Sequence, residues 1–338
     1  MKRARPVTIK DIARELNISV ATVSRAIRNS YDVSEETRNR VLEMSKDLNY
    51  RPNFNATGLV NHTSHNIAVI LPHITSYYFS TVIAGIQSIA YKNGYNIILH
   101  LTDESAEREV IIARDLSLSS IDGILVSLTS KPEKCDHLKE IMNQGVPLVL
   151  FDRVAESIHA SKVMQNDYEG AFVVVEHLIK SGYKNIAHIT GPHGPSIIKH
   201  RVNGYLDALK KYNLTVNEEW IIHSEFNMLS GREDVKKLWN NKNKPDAIFA
   251  VNDKKAVGAV LELKEKKVVI GKDVGVGGFT NDPLAAIISP SITTYEAPAL
   301  EVGQQCCELL LKHIKSSNFQ PREVVIKGRL IVRESSKK

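Results

Sequence analysis

Residues 8–29 read TIKDIARELNISVATVSRAIRN and predict two short helices joined by a tight turn. Thr8 can cap the first helix, Asn17 can end it in a left-handed conformation, and Ser19 can cap the second. The apolar positions recur at helical spacing, at Ile9, Ile12, Ala13, Leu16, Val23, Ala26 and Ile27. This layout is typical of a helix-turn-helix, whose second helix enters the major groove of DNA. An ordinary amphipathic helix pair is the alternative.

A third helix is predicted from Ser34, in the run SEETRNRVLEMSKDLNY. Val41, Leu42, Ser45 and Leu48 follow at helical spacing and would close a three-helix core. Pro52 stops the helical pattern, because proline disfavours helical backbone in the residue before it. The whole run from Thr8 to Asn53 closely resembles the head of the lactose-repressor (LacI/GalR) family of bacterial transcription regulators, and the resemblance extends along almost the whole chain.

The composition is that of a globular protein with a basic N-terminal end. The chain has 338 residues, of which 43% are hydrophobic and 24% charged. Residues 1–62 carry 11 Lys and Arg against 7 Asp and Glu, a net charge of +4 out of +6 for the chain. This excess favours a polyanion partner at the N-terminus. No apolar run is long enough to span a membrane, and no secretory signal is visible, so we expect a cytoplasmic protein.

The three cysteines do not predict a disulfide framework or a metal site. Cys306 and Cys307 are adjacent on a predicted helix, and Cys135 stands alone. Packing is the expected role of the adjacent pair.

From about residue 64 the pattern alternates between strand and helix, which predicts parallel sheets covered by helices. Two similar α/β series follow one another, the second starting near Val163. The resemblance implies an N-terminal all-α helix-turn-helix head and an α/β two-lobed periplasmic-binding-protein-like domain with parallel sheets. It also implies that the chain crosses between the lobes three times. The expected divisions are a head at 1–52, a hinge helix or linker at 53–63, a first lobe at 64–165 and 295–322, and a second lobe at 166–294 and 323–338.

The resemblance also assigns DNA contacts. Arg25 can bind O6 and N7 of a guanine, whereas Val20 and Ala21 offer apolar surface to thymine methyl groups. The alternatives are that Val20 fills the head core and that Arg25 is a solvated surface side chain. Backbone contacts are expected from hydroxyl, amide and basic side chains. These are Thr8, Ser19, Thr22, Ser24, Arg28, Tyr50 and Asn53, with Arg28 replacing an asparagine usual in the family.

Residues 53–61 correspond to the family's hinge helix, which folds on DNA and inserts a leucine into the minor groove. Leu59 matches that leucine and Ala56 the small residue beside it. Thr57 stands where the family has an arginine, and Gly58 is a poor helix former. A plain flexible linker is the alternative.

A ligand cleft is expected between the lobes, at the carboxyl ends of the strands. The resemblance nominates Arg201 to hold polar groups of a ligand and Phe226 to stack on it. Arg201 as a surface ion-pair partner and Asp253 as a helix cap are the alternatives. The further candidates for effector binding are Asp103, Ser127, Asp152, Asn252, Asp253 and Thr280.

Thr280 departs from the family, which commonly has an aspartate there that binds sugar hydroxyls. A saccharide or a derivative is still the expected effector, but because Thr280 carries no charge we do not expect a simple neutral hexose bound in the usual manner. A phosphorylated, acidic or larger saccharide or a nucleobase is left open. No metal-ligand spacing and no catalytic set is evident, so neither a cofactor, a metal nor an enzyme activity is expected.

The leading interpretation is a ligand-responsive, sequence-specific transcription regulator, expected to be a repressor. It would bind a palindromic double-stranded DNA operator as a homodimer and the effector in the cleft, without a membrane partner, and would associate with the nucleoid when bound. Residues 76–86 can supply dimer surface, or can simply be core. A solute-binding protein or an enzyme of the same two-lobe fold are the alternatives, and a protein effector is a further one. Effector, operator, sign of control and dimer versus tetramer stay open.

Overall fold

The computed structural model describes residues 7–27, 29–50, 63–116, 120–130, 135–316 and 318–338. The chain forms two compact units, residues 1–64 and 65–338. The predicted contacts Arg28, Asn53, Ala56 and Leu59 lie outside the described residues.

The first unit, called the head below, contains three helices: α1 (Ile9–Leu16), α2 (Val20–Ile27) and α3 (Glu35–Asp47). Thr8 and Asp11 form a capping box at the start of α1, and Asn17 ends that helix with φ 51°. Ser34 caps α3 by accepting a hydrogen bond from the Thr37 N–H at 3.3 Å. The predicted helix-turn-helix is thus present, with its turn and caps where the sequence places them.

The head core is small and joins all three helices. Ile12, Val23 and Val41 are completely buried, and Ala13, Ala26 and Val33 nearly so. Leu42, predicted to be core, is exposed, whereas Met44 packs against the core instead. The helical pattern does not distinguish Leu42 from Met44 as the core residue, because both side chains are apolar and only two positions apart.

The second unit has two α/β lobes. The chain first builds most of lobe 1, with β1 (Asn66–Leu71), α4 (Tyr77–Lys92), β2 (Asn96–Leu101), α5 (Ala106–Asp115), β3 (Gly123–Val126), α6 (Asp136–Asn143), β4 (Leu148–Phe151) and β5 (Ser161–Gln165). It then builds lobe 2, with α7 (Asp167–Lys180), β6 (Ile186–Thr190), α8 (Ser196–Lys211), β7 (Ile221–His223), α9 (Met228–Asn240), β8 (Ala247–Ala250), α10 (Asp253–Glu265), β9 (Gly275–Phe279), α11 (Pro283–Ile287) and β10 (Thr293–Glu296).

Three C-terminal elements complete the lobes: α12 (Ala299–Lys315), β11 (Glu323–Ile326) and β12 (Arg329–Ile331). The first sheet has the order β11-β5-β4-β3-β1-β2 and the second β12-β10-β9-β8-β6-β7. All pairings are parallel except β10 with β12. Helix α12 packs on α4 and on strands of lobe 1, where Cys306 and Cys307 are buried in the core, as predicted.

The sheet order corrects two expected boundaries. Strand β11, expected in lobe 2, pairs with β5 and forms the edge of the lobe 1 sheet, with Glu323 opposite Lys162. Strand β10, whose last residues were expected in lobe 1, pairs with β9 in lobe 2. The chain therefore crosses between lobes at residue 166, at 297–298 and at 327–328. The sequence analysis placed β11 in the wrong lobe, because the sequence of a four-residue edge strand does not indicate which strand it pairs with.

The second and third crossings touch each other. Gly328 donates its N–H to the Tyr295 hydroxyl at 2.7 Å, and a Cβ built on it would lie 2.1 Å from the Glu296 carbonyl oxygen. Only glycine allows this approach. Among the described residues, no helix is both long enough and apolar enough to cross a membrane.

We expect Gly328→Ala to lower the free energy of unfolding by about 1–3 kcal/mol, because the added methyl group has to displace backbone. Lys327→Ala is the matched control, since it removes only an exposed ion pair to Glu169, worth at most about 1 kcal/mol. Urea denaturation followed by circular dichroism checks both variants. Equal stability of the two variants would contradict the close approach.

Candidate functional site

The exposed side of α2 carries the residues predicted to contact DNA bases. The side chains of Val20, Ala21 and Arg25 are exposed, whereas Val23 and Ala26 are buried against α1 and α3. The structure therefore places Val20 on the surface and excludes the alternative that it fills the head core. This surface offers one forked cation between small apolar groups, which suits a major-groove edge.

The residues predicted to contact the DNA backbone differ in their exposure and in their hydrogen bonds within the head. The Ser19 hydroxyl accepts a hydrogen bond from the Thr22 N–H at 3.0 Å and lies 2.8 Å from the Thr22 hydroxyl. Thr8 is exposed, and its hydroxyl and N–H both donate to Asp11. Ser24 and Tyr50 are half-buried, and the Tyr50 ring packs against the head core. Each of these residues thus has a structural role in the head as well as a predicted one toward DNA.

A cavity of about 300 Å³ lies between the two lobes. Five predicted effector residues line it: Asp152, Arg201, Phe226, Asn252 and Thr280. Three others, Asp103, Ser127 and Asp253, are not part of its lining. The cavity stands at the carboxyl ends of the strands, because β4, β8 and β9 end beside Asp152, Asn252 and Thr280.

The three predicted effector residues that do not line the cavity are exposed, buried or hydrogen-bonded elsewhere. Asp103 is exposed and pairs with Arg108 in the following helix. Ser127 is completely buried in lobe 1. Asp253 is also completely buried, accepting hydrogen bonds from the Thr294 hydroxyl at 2.6 Å and the Asp282 N–H at 2.7 Å. The cap of α10 is Asn252, which accepts from the Lys255 N–H at 2.8 Å, and so the alternative that Asp253 caps this helix is wrong.

Arg201 joins the elements of lobe 2 at the cavity wall. Its Nε and Nη2 donate to Asp167 at 2.8 and 2.7 Å, and its Nη1 donates to the Val251 carbonyl at 2.5 Å. The guanidinium carbon lies 3.8 Å from the centre of the Phe279 ring. Arg201 is therefore a buried ion-pair partner rather than a surface one, and its remaining two N–H groups are those that a ligand can use.

Two cavity residues of this lobe are held in place by neighbours. Asn252 donates its side-chain amide to the Phe226 backbone carbonyl at 3.0 Å, which holds the Phe226 backbone beside the cavity. Thr280 has φ 103°, a conformation that β-branched residues rarely adopt, and its N–H donates to the Tyr295 carbonyl at 2.8 Å. Such a backbone costs about 1–3 kcal/mol and is typical of residues at functional sites.

Lobe 1 contributes a charged network that the sequence did not reveal. Arg153 donates from Nη1 to both Glu104 oxygens at 2.9 Å and to the Ser130 hydroxyl at 3.0 Å. Glu104 also accepts from the Ser130 N–H at 2.9 Å. Desolvation and the Arg153 charge lower the pKa of His73, which lies 3.7 Å from Glu104. These groups neutralise one another, so that the lobe 1 wall presents no free anion-binding cation among them.

Two buried polar atoms of the lobe 1 wall have no hydrogen-bond partner: Arg153 Nε and Gln165 Oε1. Their side chains are at least nine-tenths buried. Buried polar groups are rarely left without partners unless a ligand or water satisfies them. Beside them, burial raises the pKa of Asp152 to about 6, against the opposing effect of Arg153. This wall therefore contains both hydrogen-bond donors and acceptors.

The lobes also contact each other around the cavity. Lys254 donates to the Thr75 carbonyl at 3.1 Å, and the Val154 N–H donates to the Ser196 hydroxyl at 3.3 Å. The Arg153 guanidinium lies 5.0 Å from the centre of the Phe226 ring across the cavity.

Sequence reasoning missed Tyr78, Phe79, Arg153 and Gln165, all of which line the cavity. Arg153 directly follows the predicted Asp152 at the end of β4, which was a usable signal. Tyr78 and Phe79 were considered as dimer surface or core, and both are buried. In the described part of the chain, no three His, Cys, Asp or Glu side chains converge as metal ligands do.

The chain is similar to known regulatory proteins over both units. A family model described as bacterial regulatory proteins of the lacI family matches residues 8–53, and a periplasmic binding protein-like domain matches residues 175–336. The HTH-type transcriptional repressor PurR of Vibrio vulnificus is 32% identical over 333 residues, covering 98% of this chain and 99% of PurR. Catabolite control protein A of Priestia megaterium is 33% identical, with the same coverage of each chain.

Solved structures share the fold. The lac repressor dimer bound to operator and the anti-inducer ONPF superimposes with a TM-score of 0.87 at 22% identity, covering 99% of this chain and all of that one. A LacI family regulator of Enterococcus faecium with bound ribose has a TM-score of 0.70 at 27% identity, covering 80% of this chain and 98% of that one.

We expect Arg25→Ala to weaken binding to a selected DNA site about 10-fold to 100-fold, because one forked contact to a base is lost. Arg40→Ala removes the same charge from the exposed side of α3 and controls for electrostatics. Fluorescence anisotropy at two salt concentrations measures both. Equal losses in the two variants would assign Arg25 a purely electrostatic role.

The raised pKa of Asp152 predicts a pH-dependent stability. The folded protein keeps a proton on Asp152 up to about pH 6, whereas an unfolded chain releases it near pH 4. Asp152 therefore stabilises the fold most below pH 4, and this contribution disappears as the pH rises to about 6. We expect Asp152→Asn to gain up to about 3 kcal/mol relative to the wild type between pH 4 and pH 7. Denaturation at both pH values checks this, with the exposed Asp136→Asn as control; parallel changes in all three proteins would refute it.

Proposed function

The chain belongs to the LacI family of bacterial regulatory proteins, and from this we propose that it is a transcriptional regulator that binds a DNA operator and is controlled by a small molecule in the interlobe cavity. One observation carries the proposal: the same chain holds a helix-turn-helix with exposed base-reading positions and a two-lobed unit with a partly unsatisfied polar cavity. We propose repression as the mode of control, acting at the bacterial nucleoid, because the similar proteins PurR and lac repressor are repressors.

We infer that the operator is palindromic and that two copies of the chain bind it. One head offers a single forked base-reading side chain on α2, which is too little for specific recognition alone. The lac repressor structure that shares this fold is a dimer on its operator. The predicted contacts, Thr8, Ser19, Val20, Ala21, Thr22, Ser24, Arg25, Arg28, Tyr50, Asn53, Ala56 and Leu59, are proposed as the DNA interface on this basis.

The effector that the cavity suits best is an uncharged polyhydroxylated molecule such as a saccharide. Phe226 offers an aromatic face, and the polar side chains of Asp152, Arg201, Asn252 and Thr280 line the same cavity. Of the Arg and Lys side chains that line the cavity, Arg153 and Arg201 are already paired with Glu104 and Asp167, which leaves the Lys254 ammonium, bonded to the Thr75 carbonyl, to compensate a phosphate. Solved relatives contain ribose and cellobiose, which are of the same class.

We propose a binding cavity rather than a catalytic one. Glu104 is fixed by Arg153 and Ser130, and the Asp282 carboxylate caps α11 by accepting from the Leu284 N–H at 3.0 Å. These two carboxylates are therefore poorly suited to act as a general acid and base pair.

The first test is selection of the full chain on a randomised duplex pool, followed by sequencing. Enrichment of a palindrome supports a dimeric regulator. Salt-sensitive retention without enrichment, both alone and with a saccharide panel present, would overturn the proposal, because the head would then bind DNA only electrostatically.

We expect Phe226→Ala to weaken saccharide binding about 10-fold to 100-fold through loss of buried apolar area and stacking. Operator affinity without saccharide should stay within about 2-fold of the wild type, because Phe226 is in the two-lobed unit. Thermal shifts with neutral sugars and with their phosphate esters measure the first quantity. Larger shifts with the phosphate esters than with the neutral sugars would contradict the proposed effector class.

A further inference from the structure

The base-reading arginine of the head has a partner within the head. Arg25 Nη1 lies 3.0 Å from the Asp32 carboxylate, with 55% of the Arg25 side chain and 37% of the Asp32 side chain exposed. Asp32 is in the segment that connects α2 to α3, outside the helix-turn-helix motif itself. A carboxylate beside a DNA-binding surface opposes binding to phosphates, and its presence calls for an explanation.

The segment that carries Asp32 is anchored on both sides. Asn29 has φ 57°, and the Ser30 N–H donates to the Arg25 carbonyl at 3.0 Å, which closes the end of α2. Arg38 on α3 donates from Nη2 to the Ser30 carbonyl at 2.8 Å and to the Val33 carbonyl at 3.3 Å. Val33 is buried in the head core. Asp32 therefore lies between Ser30 and Val33, two residues that are held in place by hydrogen bonds to Arg38.

The chemistry of the arginine side chain gives this contact a consequence. A guanidinium has five N–H donors in a plane, and recognition of guanine uses two of them from one edge. A carboxylate that engages Nη1 limits rotation of the plane and decides which edge stays open. A free arginine, in contrast, samples many rotamers and can also bind phosphates without sequence preference.

We propose that Asp32 is a positioning residue for base recognition, which orients the Arg25 guanidinium so that it reads one base rather than binding phosphate indiscriminately. This proposal rests on the proposed function, since it requires that the head reads DNA. It predicts opposite effects on two quantities. Loss of the carboxylate raises or preserves affinity for non-specific duplex, and it lowers discrimination at the base that Arg25 contacts.

The experiment compares the full-length wild type with Asp32→Ala, Asp32→Glu and Asp47→Ala. Asp47 is an exposed carboxylate of the same head, at the end of α3, and its removal changes the charge equally. Duplexes carrying the selected site, or each of the other three bases at the position that Arg25→Ala relaxes, are titrated by anisotropy. Circular dichroism verifies that each variant is folded.

We expect Asp32→Ala to lower discrimination at that position about 10-fold while binding random duplex at least as tightly as the wild type. Asp47→Ala should keep full discrimination, and Asp32→Glu should restore part of it. Unchanged discrimination in Asp32→Ala overturns the proposal, as does an equal loss in Asp47→Ala. If the wild type itself selects no site, the proposed function fails as well, so the two failures are distinguishable.

Discussion

The buried ion pair between Arg201 and Asp167 organises the ligand-facing part of lobe 2. Asp167 begins α7 directly after the first crossing, and Arg201 extends from α8 to the end of β8 and to the Phe279 ring at the end of β9. Burial raises the pKa of Asp167, and the Arg201 charge opposes that shift. Breaking a buried pair is costly because it leaves an unpaired charge, so helix, strand end and crossing are fixed together. The cavity wall is thus set by the same contact that starts lobe 2.

In the head, too, a few contacts hold several elements together. Its core has few buried residues, and hydrogen bonds from Ser19 and Ser34 cap the starts of α2 and α3. Arg38 holds the connection between α2 and α3, and that connection in turn holds Asp32 beside Arg25. Stability and the proposed base recognition therefore share residues in this unit.

The sequence predicted features that depend on neighbours along the chain. Helix periodicity and capping residues located the head helices, and alternating strands and helices located the two lobes. Asp152, Arg201, Phe226, Asn252 and Thr280 line one cavity, in keeping with their expected grouping. Features that depend on distant pairing were missed: β11 joined the other sheet, Ser127 is buried inside lobe 1, and Asp253 bonds to Thr294 instead of facing the cavity. Arg153 could have been found beside the predicted Asp152, whereas Gln165 became visible only once β4 and β5 were side by side.

The order of the strands has a consequence for how the chain is made. Lobe 1 includes α12 and β11, so its core is incomplete until residue 326 has been synthesised. Until then, apolar side chains of β1 and α4 such as Val69 and Ile86 lack the α12 residues that cover them, Val302 and Cys306 among them. The head, in contrast, is one continuous segment near the N-terminus and can fold while the ribosome is still translating lobe 1. A nascent chain therefore carries a finished head long before it has a place to bind an effector, and premature termination after lobe 1 has begun but before β11 would release a head attached to an unfinished, aggregation-prone lobe.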